Sequence, residues 1–189
     1  TAVIVEILED NQVEILKKQI LPIPETLTLG DEIDGYKLEK SLIQNDRTWL
    51  CEKKGKKYVL KFAPKEAIDD DAILDLFVKE AWNSKRLKAG FFPKAVIPKK
   101  RSYRYYVQEV IPGVDLKTYL KKRNLHIDDA LILAKTLLKM SEYLLKFDLV
   151  HGDIKPENIM VTQRDGKNIF KVIVFGSMTE IYSLNSRAG

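Results

Sequence analysis

An eight-residue polar loop, residues 151–158, constrains this chain more than any other stretch of its sequence. The loop follows a long helical pattern over residues 127–147 and precedes two apolar runs that flank the hairpin turn signal Asp165-Gly166. It brings together a carboxylate, an amine and an amide, on Asp153, Lys155 and Asn158. The alternative interpretation is a surface turn, since Asp, Lys, Pro and Asn are common turn residues.

The spacing of these groups resembles the catalytic loop of eukaryotic-like serine/threonine protein kinases. That resemblance implies that Asp153 serves the attacking hydroxyl, that Lys155 lies near the transferred phosphate and that Asn158 binds magnesium. It also implies ATP and Mg²⁺ as cofactors and a protein as substrate. The implied fold is α+β and bilobal, with an antiparallel-sheet small lobe and an incomplete helical large lobe.

Composition limits the classes to which the chain can belong. With 189 residues, 45% of them hydrophobic, it can bury the core of one domain or of two small lobes. The net charge of +5 comes from scattered lysines and no nucleic-acid module is present, so we expect no nucleic-acid partner. The single cysteine, Cys51, fits a reducing cytoplasm. Since no apolar run approaches the roughly 20 residues of a membrane span, we expect a cytoplasmic protein without a membrane partner.

The pattern predicts three segments along the chain. Residues 1–30 are expected to form an N-terminal hairpin and linker, with strands over residues 1–8 and Val13–Leu16. The opening strand resembles the closing strand of metal-dependent type 2C serine/threonine phosphatases, which implies a phosphatase domain upstream in the same chain; the alternative is an ordinary extra hairpin. Residues 31–110 are assigned to a small lobe, and residues 111–189 to a hinge and a partial large lobe, so the sequence reads as a fragment.

Two opposite charges on apolar faces predict an ion pair in the small lobe. In the strand Tyr58–Phe62, alternation places Lys61 on the same face as Val59. In the helix capped by Asp69 to Asp71, Glu80 falls on the apolar stripe of Ile73, Leu76, Phe77 and Ala81. Lys61 and Glu80 therefore resemble the strand lysine and helix glutamate that orient ATP phosphates in kinases. The alternative is that each side chain is separately solvated.

The turn that covers the nucleotide phosphates in kinases departs from the glycine-rich pattern. Ile43, Asn45 and Thr48 occupy the positions where the resemblance places glycines. Side chains at these positions obstruct the approach of backbone amides to phosphate.

The run from Tyr105 to Gly113 is predicted to be a buried strand leading into a turn, and it resembles the hinge of a kinase. This resemblance makes Gln108 the gatekeeper and directs the backbones of Glu109 and Ile111 to adenine. It places Asp115 near the ribose, although Asp115 is equally suited to be the N-cap of a short helix over residues 116–120. The following pattern predicts a core helix with its stripe on Leu131, Ala134, Leu138, Tyr143 and Leu145.

Three positions decide between the functional alternatives. His151 is expected to be buried and structural. Gly152 replaces the arginine that docks a phosphorylated activation loop in many protein kinases. The opening His-Gly-Asp also resembles small-molecule phosphotransferases, although Lys155 is typical of protein kinases.

Val174 stands before Phe175-Gly176, where kinases carry an aspartate that chelates magnesium. The chain is therefore predicted to be an inactive or very slow protein kinase, with a nucleotide-binding pseudokinase or scaffold as one alternative and a small-molecule phosphotransferase as the other.

Overall fold

Two units make up the chain, and each has its own packing. The computed structural model describes residues 11–42 and 46–173 and the short strand at residues 179–180. Unit 1 comprises the chain up to Leu87 together with Lys94–Val110, and unit 2 comprises Lys88–Pro93 together with the chain from Ile111 onward. The strand predicted over residues 1–8, the turn positions Ile43 and Asn45, and Val174 lie outside the described residues.

Unit 1 is built on a six-stranded antiparallel sheet with the strand order β1-β2-β3-β4-β6-β5. Its strands are β1 Glu32–Ile33, β2 Tyr36–Ser41, β3 Thr48–Lys53, β4 Lys56–Phe62, β5 Ala95–Val96 and β6 Tyr105–Glu109. The tight turn between β3 and β4 uses Lys54 and Gly55, both at positive φ, as a two-residue hairpin requires. The sheet confirms the expected α+β class of the small lobe.

Alternation along the strands divides the core of unit 1 between the two faces of the sheet. One face carries the larger cluster: Leu27, Ile33, Leu38, Trp49, Cys51, Leu60, Phe62, Tyr105 and Val107. The other face packs Ala63 and Tyr106 against Phe77 and Ala81 of helix α2, Asp71–Arg86. Successive residues point to opposite faces, so Lys61 and Tyr106 share the helix-covered face.

The N-terminal segment of unit 1 corrects one prediction. Residues 11–18 form a helix, α1, so the strand predicted for Val13–Leu16 is wrong. Val13, Leu16 and Lys17 are partly buried whereas Ile15 is 53% exposed, which is the burial pattern of a helix rather than of an alternating strand. A salt bridge of 3.1 Å from Lys17 to Asp75 on α2 fixes this helix, so tertiary contact overrides the β-propensity of Val13 and Ile15.

Helix α2 begins where its capping residue predicts. The Asp70 carboxylate accepts hydrogen bonds from the backbone N–H groups of Ala72 and Ile73, at 2.8 and 3.3 Å. The helix buries Phe77, Val78 and Ala81. Leu76, predicted to lie on the apolar stripe, is 58% exposed, because it lies one position, or about 100°, away from the face that Phe77 and Ala81 define.

Unit 2 combines helices with short strands. Its helices are α3 Leu116–Lys122 and α4 Ile127–Leu145, and its strands are β7 Val114–Asp115, β8 Leu149–Val150, β9 Ile159–Arg164, β10 Lys167–Val172 and β11 Thr179–Glu180. They form two sheets, β10-β9-β7 and β11-β8. The predicted hairpin turn Asp165-Gly166 joins β9 to β10, with both residues at positive φ.

Helix α4 has the predicted length but is not a core helix among the described residues. Met140 and Leu144 are its buried residues. Leu131, Leu138 and Leu145, which were predicted to lie on the buried stripe, are 52%, 65% and 54% exposed. The apolar stripe of α4 is wider than the part of the helix surface that the described residues of unit 2 cover. None of the described helices combines the length and the apolar character that a membrane crossing requires.

Candidate active site

The polar loop of unit 2 runs from the end of β8 to the start of β9. Pro156–Asn158 forms one turn of 3₁₀ helix, and Gly152 has a φ of +75°, a conformation that favours glycine. His151 is 3% exposed, and its Nδ1 accepts a hydrogen bond of 3.3 Å from the backbone N–H of Asp153. His151 is therefore buried, as expected, and its hydrogen bond fixes the backbone at Asp153.

Two side chains of the loop, Lys155 and Asn158, contact the carboxylate of Asp153. Lys155 Nζ lies 2.8 Å from Oδ2 of Asp153. Asn158 Nδ2 donates hydrogen bonds of 2.9 Å to the same Oδ2 and to the backbone carbonyl of Asp153. Asn158 is buried, whereas the side chains of Asp153 and Lys155 are 35% and 48% exposed. A buried amide therefore orients a carboxylate that remains accessible.

The loop also sets the protonation state of Asp153. The hydrogen bond from Lys155 holds the pKa of the Asp153 carboxyl below its ordinary value, with the Asn158 amide acting in the same direction against the effect of desolvation. Asp153 is ionised at neutral pH, as an ordinary aspartate also is, and the lowered pKa extends the ionised form to more acidic solutions. In that form it can accept a hydrogen bond, or a proton, from a hydroxyl.

The predicted ion pair of unit 1 is present. Lys61 on β4 and Glu80 on α2 approach to 3.0 Å between Nζ and Oε1, with side chains 14% and 20% exposed. Each charge lies on a largely apolar face, and each satisfies the other, as the sequence pattern predicted.

Two further polar side chains lie on the same face of the sheet, and one of them, Tyr106, is a partner of this pair that was not predicted. The hydroxyl of Tyr106 donates a hydrogen bond of 2.7 Å to Oε1 of Glu80, the oxygen that Lys61 also contacts. Gln108 is 4% exposed, and its Nε2 has no hydrogen-bond partner among the described residues. The signal that could have found Tyr106 is the Tyr105-Tyr106 pair, because alternation directs one of two adjacent strand residues to the Lys61 face.

The residues predicted to contact adenine and ribose lie where the chain passes from unit 1 to unit 2. Glu109 ends β6, where its backbone N–H donates to the carbonyl of Lys94 at 2.9 Å, and Ile111 is the first residue of the second unit. Asp115 caps α3, since its two carboxylate oxygens accept from the backbone N–H and the hydroxyl of Thr118 at 2.8 and 2.6 Å. The capping role of Asp115 is thus confirmed, and its contact with a ribose stays a prediction.

The oxygen donors in the described part of unit 2 fit a magnesium ion poorly. Both amide hydrogens of Asn158 are directed to Asp153, which leaves its amide oxygen for a cation, while Oδ2 of Asp153 already contacts Lys155. Among the described residues, no three His, Cys, Asp or Glu side chains gather as a metal cluster. Magnesium prefers six oxygen ligands that include one or two carboxylates, so this donor set alone is a weak magnesium site.

Comparison with known proteins assigns the family. The sequence matches the family profile "Protein kinase domain" over residues 48–188, well over half of the chain. The chain belongs to the protein kinase family. This assignment confirms the family that the catalytic loop indicated, and the kinase relatives below are consistent with it.

Similar kinases come from distant organisms. Sperm motility kinase 2B of Mus musculus is 37% identical over 78 residues, which cover 41% of this chain and 16% of that protein. The serine/threonine-protein kinase PknA of Nostoc is 36% identical over 77 residues, covering 40% of this chain and 13% of that protein. This chain therefore spans less than a fifth of the length of either relative.

Solved structures show the same fold. A double mutant of the PknI kinase domain from Mycobacterium tuberculosis matches with a TM-score of 0.63 at 18% sequence identity, covering 82% of this chain and 63% of that one. The match confirms the predicted kinase-like α+β fold.

Proposed function

We propose that this member of the protein kinase family is a serine/threonine protein kinase, which transfers phosphate from Mg-ATP to a protein hydroxyl. The observation that carries the proposal is the convergence of Lys155 and Asn158 on the ionised carboxylate of Asp153. Phosphoryl transfer needs little covalent chemistry from a protein and depends on positioning and charge. These are the properties that the loop provides.

Each group then has a distinct role. Asp153 accepts the hydrogen bond of the substrate hydroxyl and orients it for attack, and Lys155 offsets negative charge on the transferred phosphate. Lys61, held by Glu80, binds phosphates of ATP. The backbones of Glu109 and Ile111 bind adenine, and Asp115 lies near the ribose. Asn158 would offer one amide oxygen to a magnesium ion bound with the nucleotide, and that ion would supply positive charge against the phosphates.

Val174 weakens this activity in the chain as it stands. The valine side chain has no oxygen to offer a cation, and the loss of one preorganised charge-stabilising group costs about 3 to 4 kcal/mol in the transition state, roughly a thousandfold in rate. We therefore propose a very slow kinase whose remaining catalytic groups, Asp153, Lys155 and Asn158, keep a competent arrangement.

The test restores the missing carboxylate. Val174→Asp, made in the full-length protein, should raise phosphorylation of a generic protein substrate about a thousandfold, measured with radiolabelled ATP. The matched control is Val174→Asn, which adds polarity without charge and should recover much less. Adding Asp153→Asn to the restored chain should abolish the gain. Activity that stays at background in Val174→Asp, while ATP still binds, would contradict the proposal.

A nucleotide-binding pseudokinase is the second candidate, and Val174 is the observation that favours it. The two candidates differ in what Val174→Asp does. A pseudokinase binds ATP through Lys61 and the backbone at residues 109–111 but stays inactive after the substitution. A kinase with one impaired position becomes active.

A further inference from the structure

Tyr106 is buried against the ion pair of unit 1. It is 0% exposed, and it lies directly opposite Lys61 in the pairing of β6 with β4. Its hydroxyl donates to Oε1 of Glu80 at 2.7 Å, and Nζ of Lys61 lies 3.0 Å from that oxygen and 5.8 Å from the centroid of the Tyr106 ring. One tyrosine therefore contacts both members of the pair.

The contacts of Tyr106 also extend along helix α2. Its ring centroid lies 5.9 Å from that of Phe77, and its hydroxyl lies 3.5 Å from Oγ of Ser84. Phe77, Glu80 and Ser84 follow one face of α2 over two turns. A buried tyrosine hydroxyl requires an acceptor, and Glu80 is the charged acceptor within reach.

The chemistry of the site keeps this hydroxyl a donor. Burial, followed by the negative charge of Glu80, raises the pKa of Tyr106 well above its ordinary value, so the phenol stays protonated. The Glu80 oxygen thus receives two fixed donors from neighbouring strands. A carboxylate with two donors has fewer accessible orientations than one held by a flexible lysine alone.

We propose that Tyr106 is a positioning residue, which fixes the carboxylate of Glu80 and through it the ammonium of Lys61 for ATP phosphates. The inference rests on the proposed function, since it assigns Tyr106 to the nucleotide site of the kinase. Tyr106 acts through Glu80 and does not itself contact the nucleotide.

The chain contains a matched control for this proposal in the adjacent residue. Tyr105 is also buried, 1% exposed, and its hydroxyl donates a hydrogen bond of the same 2.7 Å length to a carboxylate, that of Asp34. It lies on the opposite face of the sheet, in the larger core cluster. Tyr105→Phe and Tyr106→Phe therefore remove the same atom from comparable bonds, and only the second bond involves Glu80.

The experiment measures the affinity for ATP by calorimetry in both variants. Tyr106→Phe should weaken ATP binding about three- to tenfold, which is less than the full effect of losing a hydrogen bond to a charged group because Tyr106 acts on ATP only through Glu80. Tyr105→Phe should leave the affinity unchanged. In a Glu80→Gln background, Tyr106→Phe should cause little further loss of ATP affinity, because Tyr106 acts through the carboxylate that this substitution has already removed. Equal affinities in the two tyrosine variants, or losses that add fully in the double variant, would overturn the proposal.

A second readout separates this proposal from the proposed function. If the unsubstituted chain binds no ATP, the kinase proposal fails. The contact of Tyr106 with Glu80 can still be tested in that case, through the NMR signal of the Tyr106 hydroxyl proton. This proton should give a slowly exchanging, downfield NMR signal that is absent in Tyr106→Phe and moves upfield in Glu80→Gln. A hydroxyl signal that Glu80→Gln leaves unmoved would show that Tyr106 does not hold Glu80.

Discussion

At the scale of single residues, the loop of unit 2 shows how a short sequence sets the charge state of one carboxyl. Lys155 is the main cause of the lowered pKa of Asp153. Lys117 likewise lowers the pKa of Glu157, with its Nζ 2.7 Å from Oε1 of that residue. We predict that Lys155→Met raises the pKa of Asp153 toward its ordinary value, as measured by carbon NMR of the carboxyl group. Lys117→Met is the control and should raise the pKa of Glu157 instead. A pKa of Asp153 that is the same with and without Lys155 would contradict the assignment.

Asp34 provides a residue-scale prediction about stability. Burial opposes its ionisation, but hydrogen bonds from the hydroxyl and backbone N–H of Ser102 and from the hydroxyl of Tyr105 outweigh it and lower the pKa. The pKa of Asp34 in the folded chain lies below the unfolded value of about 3.9. These bonds therefore contribute fully to the free energy of unfolding above about pH 3.9, and the contribution is lost as the pH falls through the folded pKa.

We therefore expect Asp34→Asn to flatten the acid limb of the stability curve, measured by urea unfolding at a series of pH values below about 5. Asparagine tolerates the positive φ of 52° at this position, so the backbone should be kept. An acid limb of the same steepness in the variant and in the unsubstituted chain would mean that Asp34 is not the titrating group.

At the scale of elements, β7 depends on a glycine. Gly113 has a φ of +136°, and a Cβ atom there would overlap the backbone carbonyl of Val161, whose strand β9 pairs with β7. Gly113→Ala should destabilise unit 2 by about 2 kcal/mol or more, since it adds backbone strain to a backbone clash. Gly90→Ala, where a Cβ would meet open space, is the control and should stay within about 0.5 kcal/mol. Thermal unfolding by calorimetry compares them, and equal melting temperatures would contradict the argument.

Helix α1 depends on a buried arginine. The Arg104 guanidinium, 7% exposed, donates to the backbone carbonyls of Leu16, Lys17 and Gln19, at and just beyond the end of α1. Carbonyls at a helix C-terminus have no partner within the helix, so a fixed cation satisfies several at once.

Arg104→Met should therefore lower the free energy of unfolding by about 2 kcal/mol, because it leaves these carbonyls unpaired while it keeps an apolar stem. The control is Arg123→Met, which removes an exposed arginine stacked on Tyr119 and should cost less than about 1 kcal/mol. Urea unfolding measures both. The docking of α1 would not depend on Arg104 if the two variants had the same stability.

At the scale of the whole molecule, the sequence predicted what periodicity and spacing encode. The strand alternation around Lys61 and the cap at Asp70 were sufficient to place the ion pair with Glu80. The strand assigned to Val13–Leu16 failed because four apolar-rich residues fit a helix as well as a strand, and the contacts of the helix with Asp75 and Arg104 are distant in sequence. The Tyr105-Tyr106 pair indicated that one tyrosine faces Lys61, but not which one or which acceptor it meets, because that depends on the pairing of β6 with β4.

The last prediction concerns magnesium and the molecule as a whole. Asn158 offers one neutral oxygen, Asp153 is engaged by Lys155 and Asn158, and Val174 offers none. Most of the attraction between a kinase and Mg-ATP that depends on the metal comes from carboxylate oxygens. Calorimetric titration of ATP with and without magnesium should therefore show affinities that differ less than about threefold in this chain. In Val174→Asp the same pair of titrations should differ at least tenfold, because the new carboxylate binds the metal. Binding in the unsubstituted chain that depends strongly on magnesium would mean that another residue supplies the missing carboxylate.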